Sequence, residues 1–146
     1  FTSLATGAGS SPAALTGAQA VDDARRMAVL ANDLDAVVAC YSDDAILWLP
    51  GAPEAKGKEA IRAAYAALLE ANKVTAASFA NTHYETTAEI SLGWGEFSLT
   101  LVPKAAGATA TVVLSGRFTV IARRDGGKWV YVVDHASSSP SAPTQH

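Results

Sequence analysis

Cysteine is nearly absent from this sequence: Cys40 is the single example in 146 residues. That excludes a disulfide framework and a thiolate metal site. Three histidines are too few for a histidine-rich metal cluster, and no metal is expected. Positive charge is also scarce, with 11 Lys and Arg against 14 Asp and Glu and a net charge of −3. A basic face of the kind that grips nucleic acid is therefore not expected. No apolar run approaches the roughly 20 residues that cross a bilayer as a helix, so no membrane partner is expected. P-loop, dinucleotide glycine, HExxH and nucleophile-elbow motifs are all missing, and no cofactor is implied.

What is present suits one globular domain. Hydrophobic residues make up 49% and charged residues 17%, enough to build a core and too apolar for a disordered chain. Residues 1–15 are dominated by Gly, Ser, Ala and Pro and lack periodicity, so they read as a flexible leader. Residues 139–146 read as a flexible tail, leaving 16–138 as the domain. The first residue is Phe, which suits a removed signal peptide as well as a trimmed chain. The location is open between cytoplasm and export.

"TGAQ" at Thr16–Gln19 predicts a capping box. Ala20, Ala24, Met27, Ala28 and Ala31 then recur at helical spacing, and the charged "DDARR" suits the outer side of that helix. Asp33 can cap a second helix with Leu34, Val37, Val38 and Tyr41 on one face. "SDDAILWLP" reads as a Ser-Asp-Asp turn entering a short apolar strand that ends at Pro50-Gly51. "GKEAIRAAYAALLEAN" is a third helix with Ile61, Tyr65, Leu68 and Leu69 in one stripe. Beyond Asn72 the chain is rich in Val, Thr and aromatics, broken by "KAAGA" and "DGGK" as hairpin turns. Helices first and antiparallel strands afterwards is the α+β pattern. Leu34, Val37, Val38, Ile61, Leu68 and Leu69 are the expected helix-to-sheet core.

The segment "NDLDAVVACYSDDAILWLPGAPEAKGKEAIRAAYAALL" resembles the N-terminal half of SnoaL-like and ketosteroid-isomerase-like proteins of the NTF2-like superfamily. "SGRFTVIARRDGGKWVYVVDHAS" is similar to the group known as DUF4440. The resemblance spans roughly Ala20 to Ser138. It implies a cone in which three N-terminal helices pack on a strongly curved mixed sheet and enclose an apolar pocket. It also implies a homodimer through the outer sheet face. In this family Asp43-Asp44 belongs to the helix-to-strand corner and is not a catalytic pair. The isomerases' catalytic carboxylate falls at Leu49, which cannot abstract a proton. Their oxyanion-binding Tyr and Asp fall at Arg25 and near Gly116. Tyr65 alone matches a pocket tyrosine. Steroid isomerisation is therefore not expected.

Ionisable groups that could face the cone come mainly from the later strands. The expected catalytic set is His135, Asp134, Arg117 and Glu96. His135 would carry the proton, Arg117 would face a developing oxyanion, and Glu96 or Asp134 would orient them. Hairpin turns centred near Ala106-Gly107 and on Gly126 would align Glu96, Arg117 and His135 across three strands. A surface ion-pair row on the sheet fits the same spacing. Tyr65, Leu49, Trp48, Trp94 and one of the neighbours His83 and Tyr84 would line the ligand site, although Trp48, Trp94 and Trp129 also suit core or dimer contacts. Cys40 reads as a small buried hydrophobe. The function implied is a pocket protein for a small apolar molecule, acting as an acid/base isomerase, cyclase or dehydratase on an apolar carbonyl compound. A non-catalytic ligand-binding or oligomerisation module is the alternative.

Overall fold

A computed structural model describes residues 14–107 and 110–140. Residues 1–13 of the expected leader and 141–146 of the expected tail lie outside the described residues. Helices α1 (Gly17–Leu30), α2 (Leu34–Val38) and α3 (Lys58–Ala71) cover one side of a six-stranded sheet. Its strands are β1 (Tyr41–Trp48), β2 (Ala55–Lys56), β3 (Asn72–Thr86), β4 (Ile90–Pro103), β5 (Val112–Asp125) and β6 (Lys128–Ser138). The spatial order is β2-β1-β6-β5-β4-β3. Only the β1–β6 pairing is parallel, so the sheet is mixed. This is the α+β cone that the sequence implies.

The inner face of α1 differs from the expected one. Ala18, Val21, Asp22, Ala28 and Val29 are buried, whereas Ala24 and Ala31 are exposed and Met27 is 58% exposed. Alanine is indifferent to either side, so the two valines choose the buried face. Asp22 lies on that face at helical spacing from Ala18 and Val29, with Arg25 one turn further on. Two members of the "DDARR" stretch thus point inward. The capping box does not form either: Thr16 occupies the N-cap without a side-chain bond. The Ala18 N–H instead donates to Ser91 Oγ on β4 at 2.7 Å. In α2, by contrast, Asp33 accepts from the Ala36 N–H as expected.

Val37, Val38, Ile61 and Leu69 are buried as expected, while Leu34 and Leu68 are only partly buried. Strand β1 begins at Tyr41, earlier than the apolar run suggests, so Ser42-Asp43-Asp44 is strand and not turn. Its register against β6 shifts between Tyr41 and Ile46. This irregularity leaves both Asp43 and Asp44 exposed, where they meet Lys58 at 3.6 Å and Arg123 at 3.1 Å. They are surface ion pairs.

Gly126 and Gly127 close the β5–β6 hairpin with φ of 57° and 81°, a left-handed pair that suits a two-residue turn. A further bulge lies at Ile121/Ala122. Together they set Arg117 opposite Ser137, and His135 opposite Thr119. The Glu96–Arg117 pairing occurs as expected. Gly93 has a packing reason of its own: a Cβ there would come within 2.7 Å of the Tyr84 ring.

Removing the Ser91 hydroxyl orphans a buried N–H at the start of α1. Ser91→Ala should therefore cost about 1–3 kcal/mol, whereas Thr16→Ala should be close to neutral. Urea unfolding of both variants checks the contrast; equal losses would restore Thr16 as the working cap.

Candidate functional site

Helices α1 and α3 and the concave face of the sheet enclose a cavity of about 550 Å³. Its walls are apolar, chiefly Phe79, Phe97, Phe118, Leu49, Leu68 and Leu99. The volume falls in the range of small-molecule sites, about 300–1,000 Å³. Arg25, Tyr65 and Asp134 bring polar groups into this wall from three different elements.

Arg25 Nη1 donates to Asp134 Oδ2 in a short ion pair, with side chains only 14% and 2% exposed. Tyr41 O–H donates to the same carboxylate oxygen at 2.6 Å. Burial, then the charge of Asp134, holds the Tyr41 phenol well above its ordinary pKa, so it remains a donor. Its single proton is committed to Asp134. The 2.8 Å bond between Tyr41 and Tyr65 must then have the Tyr65 hydroxyl donating. The result is a directed chain, Tyr65 to Tyr41 to Asp134.

Arg25 is itself fixed by aromatic faces. Its guanidinium carbon lies 5.1 Å from the Tyr131 ring centroid and 5.9 Å from that of Phe79. Burial opposes its charge, but Asp134 together with Tyr131, Tyr65 and Tyr41 outweighs burial and keeps Arg25 protonated. Only Nη1 is used on Asp134 and Tyr41. Among the described residues, Arg25 Nε and Nη2 and Asp134 Oδ1 make no hydrogen bond of comparable geometry. No buried side-chain N or O is left without a partner either. Both residues line the cavity.

Behind this group lies a second carboxyl. Asp22 is 1% exposed and accepts from the Tyr84 hydroxyl at 2.6 Å and from the Tyr131 hydroxyl in a shorter bond. Burial raises its pKa, although Arg25 and the two hydroxyls favour the charged form.

The structure separates the residues expected to act together. Asp134, Tyr65 and Leu49 line the cavity. Tyr84 faces inward but is engaged by Asp22. Glu96, Arg117 and His135 share the outer face of the sheet and are exposed, so they do not converge on Tyr65. The same parity places Trp48, Trp94 and His83 outside, in a row that runs Trp48, His135, Thr119, Trp94, His83 across five strands. His83 stacks on Trp94 with centroids 4.4 Å apart, and His135 meets the Trp48 edge at 5.4 Å. Cys40 is buried. Among the described residues no group of His, Cys, Asp and Glu could hold a metal, and no helix is long and apolar enough to cross a membrane.

A family model, the SnoaL-like domain, matches residues 21–132. The chain belongs to the SnoaL-like family. Its cone is similar to a ketosteroid isomerase-like protein from Erwinia carotovora, at 26% identity and TM-score 0.69, covering 83% of this chain and 93% of that one. A candidate dehydratase of the NTF2-like family from Streptomyces avermitilis matches at 16% identity and TM-score 0.70, with the same coverage. An NTF2-like protein of unknown function from Pseudomonas putida matches at 22% and 0.65, over 86% and 87% of the two chains. No curated protein matches the sequence. These likenesses establish an NTF2-like fold for this SnoaL-like chain.

Two measurements test the polar group. Asp134→Leu leaves Arg25 buried without its partner and should cost about 3–5 kcal/mol, while Arg25→Met/Asp134→Leu together should recover most of that loss. Thermal and urea unfolding of single and double variants decide this; additive losses would mean the pair is not coupled. The second concerns pH. Because the folded Asp22 pKa is raised above 3.8, the folded state keeps a proton that the unfolded chain has lost. Its stabilisation is full below 3.8 and fades as pH rises through the raised value. Asp22→Asn should flatten the pH dependence of the urea midpoint in that window; an unchanged profile would contradict it.

Proposed function

We propose that this SnoaL-like chain binds a small apolar carbonyl compound in its cone and performs acid/base chemistry on it, of the isomerase or dehydratase kind. The observation that carries this is the convergence of Arg25, Asp134 and Tyr65 at one place on the wall of a largely apolar cavity, with Tyr41 bonded behind them. Asp134 Oδ1 is the base: it takes a proton from the carbon next to the carbonyl. The released electron pair moves to the carbonyl oxygen, and the resulting oxyanion rests against the Arg25 N–H groups. Returning the proton to a different carbon completes an isomerisation. Expelling a β-hydroxyl, which takes the proton from Asp134 and leaves as water while the oxyanion re-forms the carbonyl, completes a dehydration. Leu49 gives the cavity no base where ketosteroid isomerases carry theirs, so steroid isomerisation is not part of this reading.

A probe ketone tests the first step without knowledge of the natural substrate. Exchange of the acidic α-protons of 2-tetralone for deuterium, followed by NMR in D₂O, should accelerate with the wild-type protein. Asp134→Asn, confirmed folded by circular dichroism, should lower the acceleration by about 10²–10⁴-fold. Equal exchange by the variant would refute Asp134 as base.

The outer sheet face is the proposed contact with a second copy. Trp48, Trp94 and Leu92 lie there at 39%, 42% and 37% exposure, a large apolar display for a lone chain. Light scattering at micromolar concentration should give a dimer mass, and Trp94→Glu should shift it to monomer. A monomeric wild-type protein would overturn this assignment.

A further inference from the structure

The charges in the cavity wall do not balance. Arg25, Arg26 and Asp134 are its charged residues among those described, two cations against one anion. Asp134 neutralises Arg25, which it meets in a buried pair, so that end carries no net charge. Arg26 is different. Its partner Asp23 makes one 2.8 Å contact through Nη2, and the two side chains are 34% and 38% exposed. An exposed monodentate pair is screened by water and leaves most of the guanidinium fork unused. Arg26 nevertheless lines the cavity beside Val29 on the α1 wall. The remaining wall carries no charge: Phe, Leu and Val side chains offer apolar contact, and five serines among them offer only neutral hydroxyls.

We propose that the ligand is an apolar organic acid: its anionic head is held by Arg26 and its hydrophobic body lies against Phe79, Phe97 and Phe118. This rests on the reading of the cavity as a ligand site. It adds the chemical class: an apolar carbonyl compound that also carries an acidic group, with the acid at Arg26 and the carbonyl oxygen at Arg25. Arg26 is a specificity residue here, because it distinguishes an acid from its neutral analogue without touching the reacting carbon.

Two fluorescent probes share one skeleton and differ in a single anionic group: 8-anilinonaphthalene-1-sulfonate and N-phenyl-1-naphthylamine. Titrated into the full chain, the sulfonate should bind more tightly than the neutral amine by about tenfold or more, the scale of a charge-assisted hydrogen bond. Arg26→Gln should erase that preference, and Arg26→Lys should keep part of it. Arg26 is half exposed, so these variants should fold, which circular dichroism confirms. Leu99→Trp, which fills the cavity, should weaken both probes and so locate the binding. If the neutral probe binds as well as the sulfonate, or Arg26→Gln keeps the preference, the acid assignment is wrong while the cavity remains a ligand site. If neither probe binds, or Leu99→Trp changes nothing, the cavity reading falls and the acid assignment falls with it.

Discussion

A guanidinium and a carboxylate buried together must satisfy each other, and the polar half of this protein is organised around that demand. Arg25 and Asp134 are 109 positions apart in sequence, on the first helix and the last strand. Neither tolerates burial alone, because a lone charge in a low-dielectric interior costs several kcal/mol. Their pairing still leaves lone pairs and N–H groups to be placed. Tyr41, which accepts from Tyr65, donates to one carboxylate oxygen, and the Tyr131 and Phe79 rings flank the guanidinium. Tyr131 in turn reaches Asp22, which Tyr84 also contacts. Four tyrosines, two acids and one arginine thus form a continuous network, of which Arg25, Tyr65 and Asp134 line the cavity.

The two faces of the sheet have different chemistry because strand side chains alternate. Asp134 points inward and His135 outward; Phe118 points inward and Arg117 outward. Inside, the charged groups are few, buried and bonded to one another. Outside, Glu96, Arg117, His83 and His135 sit among exposed tryptophans, and Trp48 Nε1 donates to Glu54 at 2.9 Å. The titratable groups most conspicuous in the sequence are therefore on the face turned away from the cavity.

The helices, the strand-rich second half and the hairpin glycines were legible in the sequence because each rests on local chemistry. Asp33, Gly126 and Gly127 act within a few residues of themselves. The inner residues of α1 were not. "DDARR" carries surface charge types, and the rule that charges lie outside is broken only because Asp134, Tyr84 and Tyr131 arrive from far along the chain. A weak signal existed: Asp22 and Arg25 share a helical face with Ala18, Val21 and Val29. Tyr41 fits the end of the α2 stripe by spacing, although it opens β1. Strand facing failed for a different reason. The Gly126-Gly127 turn and the Ile121/Ala122 bulge together shift β6 by two residues, so Glu96, Arg117 and His135 do share a face; which face the helices cover is not written in those strands.

The parallel pairing of β1 with β6 has a consequence for how the chain acquires its site. Tyr41 pairs with Tyr131, and Leu47 with Asp134, so the first strand meets its neighbour only after the last has been made. Such contacts close long loops and are slow to form. During synthesis α1 emerges with Asp22 and Arg25 on its future inner face and no partners for either. The half-made chain therefore carries two charges destined for burial, which weakens premature collapse around that helix. Both the β1–β6 ladder and the Arg25–Asp134 pair thus depend on the strand that comes last in the described chain.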